Sequence, residues 1–249
     1  MKRILIIITI LISVFIISGL SSAKAQGLID LESGVVFSGY NDVRIPGDEG
    51  TLFSLSQELE AAPKVFLRLR AGYTFGTRHN LSLLYAPLTV KSDGSINRDL
   101  FFEGVVFPAN TALIGFYKFN SYRLTYRYDI VEKPRFEFGL GFTAKIRDAK
   151  ISLSSPSLYS EKTNVGFVPI INFRLEWKAD DKLSLLFEGD ALAAPQGRAE
   201  DILIAAQYSL SDRLGLRAGY RILEGGADND EVYNFALFHY AVVGLTLNL

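Results

Sequence analysis

The chain has 249 residues, a formal net charge of -1, no cysteine and 49% hydrophobic residues. That length allows one large domain or two small ones, and the apolar content excludes a disordered chain. A charge this close to zero argues against nucleic-acid binding, because neutralising phosphates needs a surplus of Lys and Arg. The absence of cysteine excludes thiol catalysis, cysteine-bound zinc, disulfides and a lipid anchor on cysteine. A β-rich or membrane protein remains as the leading class.

Residues 1–25 have the pattern of a secretory signal peptide. A basic start precedes an unbroken apolar stretch over 4–17, and the segment ends in Ala-Lys-Ala. This apolar stretch is too short for a membrane-spanning helix, which needs about 20 residues. We therefore predict cleavage before Gln26. No linker-like stretch interrupts the remainder, so 26–249 is predicted to form one domain.

Beyond residue 25, apolar and polar residues alternate with a period of two. In 122–130, for example, Tyr122 and Leu124 alternate with Arg123 and Arg127. Such alternation is typical of β-strands with one apolar and one polar face. The same template predicts ten strands, over 29–40, 64–76, 80–90, 112–130, 135–148, 165–178, 182–192, 201–210, 213–223 and 234–249.

The predicted strands are joined by short and long connections in turn. The short turns are 77–79, 131–134, 179–181 and 211–212, and the long loops are 41–63, 91–111, 149–164, 193–200 and 224–233. This alternation predicts an all-β, transmembrane antiparallel up-and-down β-barrel of about ten strands. Short periplasmic turns, long extracellular loops and periplasmic termini belong to that architecture. Within the first long loop, 51–60 is predicted to form a short helix.

A soluble lipid-carrying barrel of the lipocalin type is the alternative, since it also alternates but keeps its apolar face inside. Charges at mid-strand on the polar face favour the membrane version. Aromatic residues near the short turns also favour it, because membrane barrels carry aromatic girdles at both interfaces. These aromatic residues are Tyr73, Phe75, Tyr128, Phe136, Trp177 and Tyr208.

The last six residues, 244–249, are a glycine followed by apolar residues at alternate positions. This segment resembles the terminal-strand signal of outer-membrane barrels, although it ends in Leu249 rather than Phe. At the level of pattern, the chain is similar to small bacterial outer-membrane β-barrel proteins of the ten-stranded type. The resemblance implies localisation in the bacterial outer membrane, contact with lipid and lipopolysaccharide, and insertion by the barrel-assembly machinery through the C-terminal strand. It further implies a monomer that uses neither a cofactor nor a metal.

The predicted strand phases turn eight acids and twelve bases into the lumen. Side chains fill the interior of an eight-stranded barrel, and ten strands enclose little more space. Because a buried charge without a partner is costly, we predict a closed, salt-bridged lumen and a structural, adhesive or small-solute role. The surplus of four bases leaves a narrow anion-preferring channel as an alternative. The candidate charge network is Arg68, Arg70, Arg123, Arg127, Glu137, Arg174, Glu176, Glu188, Asp190, Arg217 and Arg221. The other inward charges are Asp30, Glu32, Asp129, Arg135, Lys145, Arg147, Lys178, Asp201 and Arg213.

His239 raises an enzymatic alternative. Counting back from Leu249 puts it on the outward face at the extracellular rim, where outer-membrane lipid hydrolases place a Ser and His pair. A lipid A or phospholipid hydrolase is therefore considered. The outward serine of the neighbouring first strand, Ser33, lies about 12 Å below the histidine, too far for a hydrogen bond. No catalytic residue is assigned, and His239 is expected to hydrogen-bond lipopolysaccharide.

Ten strands also resemble the omptin proteases, which use acidic residues and a histidine at the extracellular rim. The sequence has no Asp-x-His pair, so this resemblance does not reach the functional residues, and protease activity is not expected. The acidic loop 224–231 offers oxygen ligands without the spacing of a calcium motif. The rim acids are Asp190, Asp201, Asp228 and Asp230.

Overall fold

The structure is a computed structural model that describes residues 26–195 and 197–249, so the predicted signal peptide lies outside the described residues. The described chain forms fifteen strands. They are β1 Gln26–Arg44, β2 Phe53–Ser54, β3 Glu60–Ala61, β4 Lys64–Phe75, β5 His79–Ala86, β6 Thr89–Ser95, β7 Leu100–Phe102, β8 Val105–Phe107, β9 Ala112–Lys133, β10 Phe136–Ser154, β11 Tyr159–Lys178, β12 Leu183–Ala194, β13 Gly197–Ser209, β14 Leu214–Asp228 and β15 Tyr233–Asn248. Within the described ranges, no helix is long and apolar enough to span a membrane.

Ten of these strands close into an antiparallel barrel. Its order is β1, β4, β5, β9, β10, β11, β12, β13, β14 and β15, and β15 pairs back on β1. Strand β6 continues the line of β5 along β9, after a break at Pro87, which has no N–H to donate to a sheet. The predicted ten-stranded transmembrane barrel is thereby confirmed.

The outer face of the barrel is apolar over most of its height, and we call this surface the apolar belt. Leu67, Phe142 and Ile204 are each more than half exposed on it. Soluble monomers rarely expose so much contiguous apolar surface, whereas outer-membrane barrels need it against lipid. Trp177 and Tyr208 also point outward near the periplasmic turns, as expected of an interfacial girdle. The lipocalin-like alternative, which requires the opposite orientation, is wrong.

Two extracellular loops fold into the mouth of the barrel, and we call 45–63 and 96–111 together the cap. The hairpin β7–β8 lies within it, while β2 pairs with β1 and β3 pairs with β6. Phe102 and Phe107 are fully buried, and Phe102 packs edge-on against Phe53 with ring centroids 6.0 Å apart. The extracellular end of the lumen is therefore filled by an apolar core.

The predicted helix over 51–60 is wrong. Instead, the segment makes a single turn between β2 and β3, closed by the Leu59 N–H donating to the Ser54 carbonyl at 3.1 Å. Leu55 and Leu59 both point into the cap core, and their spacing of four imitates the apolar stripe of a helix. The turn ends on both sides because β2 pairs with β1 and β3 pairs with β6.

The strands are longer than alternation predicts. The expected loops 149–164 and 224–233 shrink to four-residue turns at 155–158 and 229–232. Above the belt the apolar residues change face, because Ile151 and Leu153 point inward to the apolar core at the mouth. The segment 224–228 is acidic and glycine-rich and has no apolar face. A template with one fixed apolar face therefore ends there, although pairing continues.

The barrel wall is uneven in height. Strands β9 and β10 stay paired up to Ile114 and Ser154, well above the belt. In contrast, β11 pairs with β12 only from the Ile171–Ala191 pair downward. Above that pair, Tyr159–Ile170 has β10 on one side and no described strand on the other. The strands β9 to β11 thus project outward as a sheet with one free edge.

Candidate functional site

Below the cap, charged side chains from seven strands cross the lumen as one connected set, which we call the ion network. It contains six arginines and six carboxylates, so its formal charge is zero. Each of these twelve residues faces the lumen, as the strand phases predict. The members are Arg68, Arg70, Arg123, Arg174, Arg217, Arg221, Asp30, Glu32, Glu176, Glu188, Asp190 and Asp201.

Arg221 stands at the centre of the ion network and is 2% exposed. Its Nε and Nη2 both donate to Glu32 at 2.9 Å, and its Nη1 donates to Asp201 at 2.6 Å. Asp201 also binds Arg68 at 3.0 Å and Arg123 at 2.6 Å. Such forked, charge-assisted bonds offset the cost of removing these charges from water.

Glycines on neighbouring strands make room for the inward arginines. Arg217 lies opposite Gly244, where an added Cβ would stand 2.9 Å from the Arg217 Nε. Arg147 likewise lies opposite Gly166, and a Cβ added to Gly166 would stand 3.0 Å from the Arg147 Nη2. Glycine within a strand often marks such a close approach. A glycine at an inward position opposite an inward arginine on the next strand is therefore a sequence pattern that marks lumen arginines. The alternation of apolar and polar residues does not use this pattern.

Toward the periplasm the charges are less buried. Arg70 and Arg174 are 20% and 21% exposed, and both bind Glu188, at 3.0 and 3.1 Å. Two members of the candidate network, Arg127 and Glu137, lie apart from the connected set. Arg127 pairs with Asp129 at 3.0 Å, and Glu137 pairs with Lys178 at 2.5 Å.

Two residues predicted to face the lumen do not. Arg135 and Arg213 lie in or beside the periplasmic turns and are exposed. At a periplasmic turn the chain leaves the barrel wall, so residues of the turn no longer alternate between the lumen and the outer surface. The predicted excess of four inward bases over inward acids therefore loses two members, Arg135 and Arg213, which lie outside the lumen.

Little space remains between the ion network and the cap. One cavity there has room for about one water molecule and is bordered by Phe66, Arg68, Arg123 and Tyr240, among others. A second cavity of similar size lies within the network, beside Asp30 and Arg217 among others. The described lumen is filled at two levels, by ion pairs and by apolar side chains.

His239 lies on the outer surface, where its Nδ1 shares a hydrogen bond with the Tyr220 hydroxyl. Ser33 donates its own hydroxyl to the Phe66 carbonyl at 2.8 Å. It pairs with Val243, whereas His239 pairs with Phe37, so the serine and the histidine stand at different heights of the wall. Within the described residues His239 has no serine partner, so the arrangement lacks a nucleophile and base pair.

The acids considered for the rim are dispersed. Asp190 and Asp201 belong to the ion network and not to the rim, because their strands continue above them. Asp228 ends β14, and Asp230 lies in the following turn. No described group of three His, Asp or Glu side chains could hold a metal ion.

One ion pair joins the two segments of the cap. Glu58 accepts from the Arg98 guanidinium at 2.5 and 3.1 Å and from the Ser54 N–H at 3.0 Å. Arg98 also donates to the Leu52 carbonyl at 2.7 Å. The hydrogen bonds from Arg98 hold the pKa of Glu58 below its ordinary value.

The cap should loosen in acid. A carboxylate with a lowered pKa contributes stability that is complete above its ordinary pKa and is lost as the pH falls through the folded value. We expect amide hydrogen exchange in the cap, corrected for intrinsic rates, to accelerate below about pH 4.5, the ordinary pKa of a glutamate. Glu58→Gln should lose that acceleration. As a control, Asp93→Asn, which breaks an exposed pair with Lys91, should keep it. Identical pH profiles for the parent and Glu58→Gln would contradict the role of this pair.

No protein-family model matches the chain, and no curated protein does so either. Solved structures do resemble it. The outer membrane protease OmpT from Escherichia coli has a TM-score of 0.56 and 10% identity, over 93% of this chain and 99% of that chain. The translocator domain of the autotransporter NalP from Neisseria meningitidis has a TM-score of 0.45 and 12% identity, over 94% and 92%. Ail, the attachment invasion locus protein of Yersinia pestis, has a TM-score of 0.41 and 12% identity, over 90% and 99%.

At this identity the likeness to OmpT shows a common fold and leaves activity open. The fold is that of small bacterial outer-membrane β-barrels, as the sequence predicts. The apolar belt supplies independent physical support, because it needs a lipid environment around the whole barrel. The chain therefore has the fold and the lipid-facing outer surface of an outer-membrane β-barrel protein.

Proposed function

We propose that this protein is a non-conducting barrel with a structural or adhesive role at the cell surface. The observation that carries the proposal is the double closure of the lumen. The ion network crosses it at mid-height with six arginines and six carboxylates, and the cap fills the mouth above with buried phenylalanines. A conducting pore needs a continuous path lined by water-accessible groups, and buried ion pairs do not supply one.

The projecting strands support the adhesive part of the proposal. Strands β9 to β11 rise above the belt as paired sheet, so they form a rigid platform and not a mobile loop. Tyr159 at its tip is 56% exposed. Exposed aromatic side chains on rigid elements are common anchors for a binding partner.

Two other functions have less support. An anion channel would need unpaired bases along the lumen, but the network arginines are matched one to one by carboxylates. A lipid hydrolase would need a nucleophile beside His239, and its described partner is the Tyr220 hydroxyl. We therefore favour the non-conducting role over both.

Conductance tests the proposal. The mature protein, shown to be folded by its anomalous migration on unheated SDS gels, should give no steady current in planar bilayers. An open general porin prepared in the same detergent serves as the positive control. Liposomes that contain the protein should also resist swelling in small sugars. Stable channels from the folded parent would refute the proposal.

A further inference from the structure

The projecting sheet is open along one edge, the upper part of β11. Above the Ile171–Ala191 pair, the segment Tyr159–Ile170 pairs with β10 alone. The opposite edge of the same sheet is covered, because β6 continues the line of β5 along β9. Within the described ranges, no strand continues the line of β12 along β11 in the same way. The sheet is therefore covered on one side and open on the other.

The open edge presents backbone groups at every second residue. Pro169 has no N–H, so its pair with Ala144 is of the non-hydrogen-bonded kind, and the even-numbered residues of β11 bond to β10. The Lys178 N–H has the same phase, since it donates at 3.0 Å to the Arg135 carbonyl just before β10. The odd-numbered residues of 159–167 therefore turn their N–H and C=O groups to the open edge. Such a row of groups is a template for one more strand.

A cation reaches the same edge from the inner side of the sheet. Arg147 points inward from β10 and extends over Gly166 of β11, where an added Cβ would stand 3.0 Å from the Arg147 Nη2. The Nη2 donates to the Asn164 side-chain oxygen, and the buried Nε has no hydrogen-bond partner in the described chain. No described carboxylate pairs with Arg147, since the nearby Glu103 binds Lys162 at 3.3 Å. A guanidinium keeps its charge at any physiological pH, so the edge carries one unmatched positive charge.

We propose that the open edge of β11 binds an extended acidic segment of a partner protein, which adds to the projecting sheet as a further strand. The segment pairs with the odd-numbered residues of 159–167 and runs antiparallel to β11, as β12 does below. A carboxylate on its inner side, opposite Gly166, accepts a charge-assisted hydrogen bond from Arg147. Apolar side chains on its outer side lie beside Val165 and Phe167, which are 72% and 67% exposed. This site rests on the adhesive part of the proposed function and gives it a defined surface.

Amide hydrogen exchange, read by NMR in detergent micelles, tests the site with a tethered peptide. The chain has no cysteine, so Ala194→Cys at the exposed end of β12 provides a single attachment point. The probe is a peptide of about ten alternating threonines and valines with one aspartate placed opposite Gly166. A glycine-serine linker joins it to the cysteine, and the tether raises its effective concentration to roughly millimolar. We expect the odd-numbered amides of 161–167 to exchange about tenfold more slowly or less, while the even-numbered amides do not change.

Two pairs of variants separate the backbone contribution from the charge contribution. Thr163→Pro removes an N–H of the open edge and no bond to β10, so the protection should disappear, whereas Thr163→Val should keep it. A peptide with lysine in place of the aspartate should protect the edge less than the acidic peptide does. That preference should vanish in Arg147→Gln and persist in Lys150→Gln, which changes an outward lysine of the same strand that pairs with Glu161.

Three results would overturn the proposal. They are no protection by the acidic peptide, equal protection by the acidic and basic peptides, and protection that survives Thr163→Pro. Slow exchange of the odd-numbered amides in the untethered parent would show that a second copy already covers the edge, which also contradicts it. Conductance is measured separately, so a closed barrel that fails these tests refutes the edge site and leaves the non-conducting role standing.

Discussion

Replacing Arg221 with alanine should destabilise the folded barrel by about 3 to 5 kcal/mol, the cost of leaving buried charges without their partner. Arg221, on β14, makes three hydrogen bonds to Asp201 on the adjacent β13 and to Glu32 on β1, which lies beyond β15. Both carboxylates are nearly fully buried, so water cannot replace the lost guanidinium.

Urea unfolding in detergent micelles, followed by the fluorescence of the single tryptophan, Trp177, measures this loss. Arg78→Ala is the matched control, because Arg78 pairs with Glu132 at the exposed periplasmic rim. A pair of that kind contributes at most about 1 kcal/mol. Similar small losses for both variants would mean that the ion network contributes little to stability.

The cap should depend as strongly on its buried aromatic residues. Phe102→Ala removes a fully buried ring that packs on Phe53, and such truncations cost about 3 to 5 kcal/mol. We expect the loss to appear as local opening: protease cuts the cap of Phe102→Ala rapidly while the barrel still migrates as folded on an unheated gel.

Val106→Ala tests the specificity of that effect. Val106 belongs to the same hairpin but is 54% exposed, so its truncation should change stability by no more than about 0.5 kcal/mol. Equal protease resistance of Phe102→Ala and the parent would show that the cap is held by other contacts.

The sequence predicts the barrel well, because a strand that crosses a membrane must alternate apolar and polar residues. Lipid on one side and packed charges on the other force strict alternation wherever a strand crosses the belt, as in β9. The cap carries no comparable pattern. Phe102 and Phe107 are buried by tertiary packing between two loops, and such contacts leave no periodic pattern in the local sequence.

The lumen is predictable only in part for a related reason. Strand phase assigns Arg68 and Asp201 to the interior, but their contact joins β4 to β13, which are not neighbours in the wall. Which inward charges meet depends on strand tilt and stagger, which the alternation does not encode. Lys145 has the same inward phase as the network arginines, and only the three-dimensional structure shows that among the described side chains it lies over the Phe119 ring and joins no ion pair.

The uneven wall decides where the barrel is weakest. The seam between the terminal strands β1 and β15 is paired from Leu28 to Arg44, almost the full length of β1. The seam between β11 and β12 is paired only from Ile171 to Lys178. The seam between β4 and β5 is as short, since it is paired only from Leu69 to Phe75. Because a closed sheet must part along one seam before it can unravel, we expect rupture to begin at one of these two short seams. The terminal strands, joined last in the chain's order, share one of the longer seams instead.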